Sequence, residues 1–454
     1  MAAVKTSVPR LIAFAGPSIP IAALVIPLAV HLPAYYAGPM GLGLGVVGTI
    51  FMVARFWDVF VDPILGIVSD RFPSRWGRRR HWIVLSVPII LISSWFVFFP
   101  TAPVTPEYLL FGLLGLYLGY TMLLLAHMSW GAELSDDYNE RSRTQAWREG
   151  LAILGVPLVL MLPVVIEKLS GENGHGLSVN VMGWFIIILL PITVFFAVTM
   201  MGERKQRPQA HLPMSEAWKA LATNVGLRRV VIADLASGFS GSALGAMFFY
   251  EAKEVWQVGN YANQLLLLYF FAGVGFVPVA LKLSYRFGKH RTMIGAALFN
   301  VCFVPILFLI PPGNIWVASL VLLFLGMNVG IPNVLYRSIM ADIGDYDEVR
   351  TGQRRTGLFY ALLTLTAKVG SAVAIGVVFW ALDLIGFDPN GSNDPVTLGH
   401  LNQIYVAVPF CANLFVAFMM WGFPIGLKEQ KELRKILDER VVEEFETMEN
   451  PPIR

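Results

Sequence analysis

Two carboxylates, Asp58 and Asp62, stand four residues apart in the stretch "RFWDVFVDP". The chain before them is apolar, with no Asp, Glu, Lys or Arg between Leu11 and Ala54. On a helix, positions i and i+4 share a face, with Cβ atoms about 6 Å apart. Arg55, three residues before Asp58, falls on that same face. Far along the chain, "LLTLTAKVGSAVAIGVVFW" carries one charge, Lys368. An ionisable group in the hydrocarbon region of a membrane costs about 2.5 kcal/mol or more, and normally faces a polar cavity or a partner. Two carboxylates held this close resist joint ionisation, so they call for a proton, a metal cation or an ammonium group. The chemistry expected of Asp58 and Asp62 is cation binding, of H+ or Na+, with Arg55 and Lys368 as counter-charges. A fixed ion-pair network that stitches distant helices together is the plainer alternative.

The elements that must position these groups are membrane spans. Of 454 residues, 56% are hydrophobic and only 14% charged, against roughly 25% charged in soluble domains. The mean hydropathy is +0.62. A span needs about 20 apolar residues. Twelve such segments are expected, near 11–36, 42–69, 82–100, 108–133, 150–167, 179–201, 230–251, 263–285, 292–311, 315–340, 357–385 and 403–426. The first of them has no small-residue cleavage pattern and reads as a span rather than a signal peptide. Cys302 and Cys411 both lie in apolar runs, which argues against a disulfide framework.

Arg and Lys crowd alternate loops, such as "SDRFPSRWGRRR" and "TGQRRTG", and are nearly absent from the others, such as "PTAPVTPE". By the positive-inside rule the basic loops and both termini are cytoplasmic, in the inner membrane of the cell. An even number of spans requires the same.

The longest basic loop divides the chain into 1–201, a six-span bundle; 202–229, a cytoplasmic middle loop; 230–426, a second six-span bundle; and 427–454, a charged cytoplasmic tail. The halves echo each other. "GAELSDDYNERSR" follows span four and "MADIGDYDEVRTG" follows span ten, so Glu133 and Asp342 correspond. A weaker echo links "SDRFPSRWGRRR" after span two with "SYRFGKHR" after span eight. A repeat at a six-span offset implies parallel halves with a substrate path between them.

Asp70, Arg71, Glu133, Arg141, Asp342 and Arg355 sit at the cytoplasmic ends of spans and are expected to form a gate. Within or beside the path, His127 and Trp130 share a face of span four, and Tyr35, Tyr360 and Asn328 add stacking or hydrogen-bonding groups. These five are the substrate-binding candidates. Each has a plainer role as packing or interface residue. With no P-loop, HExxH, GxSxG or CxxC motif, neither an enzyme nor an ATP-driven pump is expected. The expected fold is all-α, with twelve transmembrane helices in two six-helix bundles.

The motifs also carry a resemblance over nearly the whole chain. "RFWDVFVDPILGIVSDRFPSRWGRRRHW", "GAELSDDYNERSR" and "MADIGDYDEVRTGQRRTG", with Lys368 in span eleven, resemble the glycoside–pentoside–hexuronide:cation symporters of the major facilitator superfamily. The best-known member of that family is the melibiose permease. The resemblance implies alternating access, with Asp58 and Asp62 as the paired cation-site aspartates and Arg55 as the basic residue one turn before them. It implies a small-molecule substrate and the lipid bilayer as partners, a monomer, no nucleic acid, and no cofactor beyond the coupling ion. Two departures are plain. In the melibiose permease, aspartates on helices one and four hold the galactoside. Here span one has no acidic residue, and span four offers Leu124, Ala126 and His127. Val61 stands where that permease has an Asn beside its sodium, which tilts the expectation towards H+. A distant branch with the same motif and lysine moves lysophospholipids, so an amphipathic substrate is the second reading. A transporter-like sensor without net flux is the third.

Overall fold

The computed structural model describes residues 6–439, apart from 73, 75, 136–137, 172–173, 204–213, 354, 434 and 438. For 70, 71, 138, 139, 141, 142 and 214–218 it describes the backbone alone. Twelve helices are long and apolar enough to span a membrane. They are α1 (Val8–Ala37), α2 (Leu44–Ser69), α3 (Arg80–Phe98), α4 (Pro106–Glu133), α5 (Arg143–Ser170) and α6 (His175–Met200), then α7 (Val225–Val255), α8 (Gly259–Phe287), α9 (Lys289–Leu309), α10 (Ile315–Thr351), α11 (Thr356–Leu384) and α12 (Pro395–Met420). Large apolar side chains line their outer faces: Phe111 and Phe418 are each 70% exposed, an arrangement only lipid makes favourable.

Several spans differ from the expected bounds, two of them by more than ten residues. The helix containing α5 begins at Tyr138, not near 150, and α10 runs on to Thr351, not 340. A hydropathy window ends where charge begins, but a helix does not. "YNERSRTQAWREG" and "ADIGDYDEVRT" keep good helix formers and pair their charges along the helix or across to a neighbour. The middle loop also holds a short helix, Met214–Thr223, and α7 starts at Val225 rather than 230.

α1 is a relay of short pieces. Val8–Ala15 and Ser18–Ala23 are α-helical, Pro27–His31 is a π turn and Leu32–Ala37 is α-helical again. Prolines 17, 20, 27 and 33 each remove a backbone donor, which accounts for the breaks. α7 ends in a π turn, Glu251–Val255, and α10 is interrupted between Gly326 and Ile331. Irregular backbone at membrane depth is tolerated where it lines a cavity or is buried in protein.

Helix contacts obey the six-span offset. α1 packs on α5 as α7 packs on α11; α2 on α4 as α8 on α10; α3 on α6 as α9 on α12. Between the halves, α2 meets α11 and α5 meets α8, and the same offset exchanges these two seams. The α2–α11 seam is drawn tight by small residues. A Cβ built at Gly48 would lie 2.8 Å from Phe379 Cβ, and one at Gly376 would lie 2.9 Å from Met52 Sδ.

Gly48→Leu should therefore wedge the halves apart and cost about 1–3 kcal/mol, read as a lowered unfolding temperature of the purified protein. Gly295→Leu, where an added Cβ meets nothing within 4 Å, should leave that temperature unchanged.

Candidate cation, gating and solute sites

The charged groups of α2 and α11 meet where the seam joins the halves. Lys368 donates to both oxygens of Asp62, at 2.8 and 2.7 Å. Its Nζ is also 2.9 Å from Asp58 Oδ2, an ion-pair distance without the alignment of a hydrogen bond. Asp58 is fully buried. Its Oδ1 accepts from Thr121 Oγ1 of α4 at 2.5 Å, and Arg55 approaches its Oδ2 at 3.6 Å. Arg55 lies over the Tyr117 ring, 4.9 Å from the centroid, one helical turn before Thr121. Two carboxylates thus face two cations, and the local charge sums to zero. Pro63 follows Asp62 directly and removes the N–H that would bond the Val59 carbonyl. The donor set open to a cation is all oxygen, which suits a proton or a hard ion such as Na+. Asp58 and Asp62 would hold it, with Thr121 beside them.

At the ends bearing the basic loops, each half contains one version of the same ion pair. Arg79, which precedes α3, donates to Glu133 at the end of α4, at 3.1 Å from Nε and 2.8 Å from Nη2. Lys289, which opens α9, donates to both oxygens of Asp342 in α10, at 2.7 and 2.6 Å. In the first half the backbone N–H groups of Arg78, Arg79 and Arg80 converge on the Glu203 carboxylate, at 2.5, 2.7 and 3.2 Å. A carboxylate at a helix start also meets the positive end of the helix dipole. Arg355 forms a two-pronged pair with Asp347, both distances 2.9 Å. The side chains of Asp70, Arg71 and Arg141 lie outside the described residues.

The opposite end is closed by contacts between halves. His31 of α1 meets Asn263 of α8 at 3.1 Å. Asn263 donates to Glu167 of α5 at 2.7 Å and to Ser178 of α6 at 2.9 Å. Trp380 donates to Thr49 at 3.0 Å, and Asn390 to the Gly38 carbonyl at 2.7 Å. The ion pairs described at the basic-loop end run within one half.

The substrate-binding candidates are dispersed. His127 donates to the Phe14 carbonyl at 2.7 Å, beside the first break in α1, and the Trp130 ring meets the Phe14 ring at 5.3 Å. Tyr35 stacks on His175 at the closed end. Tyr360 donates to the Arg337 carbonyl at 2.9 Å. Asn328 alone lines the cavity of about 350 Å³ enclosed by α1 and the helices of the second half. Asp234 of α7 also lines it and accepts from Thr366 at 3.0 Å.

Several of these groups escape the sequence reading. Asp234 and Glu251 are carboxylates inside span seven, and the rule that singles out Lys368 would have found them. Glu167 and Glu203 sit at span ends, where charge is ordinary, and Thr121 is one hydroxyl among many. Only their partners, distant in sequence, mark these three.

The comparisons with known proteins agree with this architecture. Residues 13–426 match the family described as MFS/sugar transport protein. The glucuronide carrier protein homolog of Escherichia coli (strain K12) is 26% identical over 424 residues, covering 91% of each chain. The inner membrane symporter YicJ of the same organism is 25% identical over 410 residues, covering 86% of this chain and 85% of that one. A crystal structure of the nucleoside transporter NupG superposes with a TM-score of 0.65 at 12% identity, covering 92% of this chain and 100% of the other, a likeness of fold alone. The chain is a membrane transporter rather than an enzyme, and it belongs to the glycoside–pentoside–hexuronide:cation symporter family of the major facilitator superfamily.

Proposed function

We propose that the protein is a symporter of the inner membrane that couples entry of H+ or Na+ to uptake of a glycoside or related carbohydrate by alternating access. The observation that carries this reading is Lys368, an ammonium from one half lodged between two carboxylates of the other. It acts as a tethered substitute for the coupling ion. When H+ or Na+ occupies Asp58 and Asp62, the carboxylates lose their hold on Lys368 and the bond between α2 and α11 weakens. A ligand shifts a two-state equilibrium only by its differential affinity for the two states. Here the difference arises because the ion and the ammonium compete for the same oxygens.

The contacts joining the halves away from the basic loops, and the ion pairs kept within each half at the loops, fit a conformation open to the cytoplasm, with both termini on that side. The carbohydrate part rests on the names of relatives, a glucuronide carrier homolog among them, and on the polar groups set into a largely apolar cavity wall. Asp234, three serines and four asparagines are more hydrogen-bonding groups than an acyl chain would justify. These polar groups are the ground for preferring a sugar to a lysolipid.

Two outcomes follow for the purified protein. A sugar that raises the unfolding temperature should do so in a manner dependent on pH or Na+, and Asp58→Asn should retain the sugar response while losing that dependence. An unchanged ion dependence in Asp58→Asn would make the aspartates structural. Lys368→Ala strands two carboxylates and should destabilise by about 3–5 kcal/mol. Because protonation or a bound ion neutralises the stranded charge, the loss should shrink as pH is lowered or Na+ is added. A deficit equal at every pH and Na+ concentration would refute the competition between ion and lysine.

A further inference from the structure

The cavity beside α1 has a chemistry of its own. Along α7, Asp234, Ser237, Gly238, Gly241 and Gly245 follow the spacing i, i+3, i+4, i+7 and i+11, so one helical face presents a carboxylate, a hydroxyl and then bare backbone. All five line the cavity. Asp234 is 8% exposed. One of its oxygens is engaged by Thr366, and the other has no protein hydrogen-bond donor among the described residues.

The far wall is a chain of amides. Asn328 donates to Asn300 at 2.9 Å, Asn300 to Asn413 at 3.1 Å, and Asn413 to the Pro409 carbonyl at 2.8 Å. Each bond fixes an amide's orientation, and Asn328 also donates to the Ala296 carbonyl at 3.3 Å. Tyr269 and Phe270 of α8 supply an aromatic wall. The volume, about 350 Å³, lies in the range of pockets that enclose a small organic ligand.

We propose that the solute site is the cavity between α1 and the second six-helix half, and that Asp234 is its specificity-determining residue, accepting two adjacent hydroxyls of a sugar ring. A carboxylate presents paired acceptors that a vicinal diol matches, and such charge-assisted bonds are the stronger kind. The oriented amides take further hydroxyls, and the aromatic wall takes the ring's apolar face. An ammonium ligand is disfavoured, because the Arg337 guanidinium already lies within electrostatic reach of Asp234.

The site is also wired to the ion pair. Thr366 and Lys368 are two residues apart, roughly 200° around the axis of α11. One holds Asp234 of α7 while the other holds Asp62 of α2. α11 is the beam between solute and ion.

This inference rests on the carbohydrate reading above, and the test separates the two. Full-length protein is titrated with D-glucose, D-galactose, D-xylose, D-glucuronate and their methyl glycosides, followed by calorimetry and thermal shift, with and without Na+ and at two pH values. The best binder is then tested as its monodeoxy analogues. Asp234→Asn should weaken that sugar at least about tenfold while keeping the ion-dependent stabilisation that marks an intact cation site. Removing one hydroxyl of the critical pair should cost wild type a similar factor and cost the variant little.

Unchanged sugar affinity in Asp234→Asn would overturn the proposal and leave the carbohydrate reading standing. Silence from every sugar in wild type would overturn both. If Asp234→Asn loses its ion response as well, Thr366→Val decides: affinity weakened several-fold supports the site, and affinity equal to wild type overturns it.

Discussion

An ammonium shared between two carboxylates holds the whole arrangement in register. Lys368, Asp58 and Asp62 would each be expensive in a membrane alone; together with Arg55 they form a neutral cluster whose members satisfy one another. The cluster spans two separately folded bundles, so its geometry depends on how closely those bundles approach. The glycines of α2 and α11 set that approach, since Gly48 and Gly376 leave the backbones near contact. Breaking the cluster strands charge, and only another cation relieves it. The ion coupling proposed above therefore has its energetic ground in the packing of one seam.

Much of this was legible in the residues. The i, i+4 carboxylates and the lone lysine stand out because charge inside an apolar run is rare, and any such charge asks for a partner. The twelve spans follow from hydropathy alone. The echo between "GAELSDDY" and "MADIGDYD" announced a repeat, and the structure gives its physical content: the same ion pair is built twice, as Arg79 with Glu133 and as Lys289 with Asp342. What stayed hidden is of another kind. That His127 spends its hydrogen bond on a carbonyl freed by a break in α1 depends on where α1 breaks. Glu203 capping α3 joins residues more than a hundred positions apart. Helix ends beyond the membrane were misplaced because hydropathy measures the solvent, not the helix.

The two halves share a plan but not a task. In the first half the fully buried Asp58 stands with Asp62 against Lys368. In the second, one set of polar groups lines a cavity, with a carboxylate on α7 and amides from three helices. α7 is the counterpart of α1 under the six-span offset, and α1 lacks acidic residues entirely. The polar duty that one helix of a symmetric pair lacks is present in the other. Symmetry constrains the scaffold, and the side chains inside each bundle have diverged from it.

The close approach of α2 and α11 at Gly48 and Gly376 has a mechanical consequence. Gly48 and Gly376 each receive a side chain of the opposite helix, Phe379 and Met52, and Lys368 ties the two helices together, so the seam resists separation. Under the alternating access proposed above, this seam and the one between α5 and α8 are where the bundles would turn, so that opening one mouth shuts the other. A leak would require both mouths to gape together, and a lever pivoting at its middle has no such position.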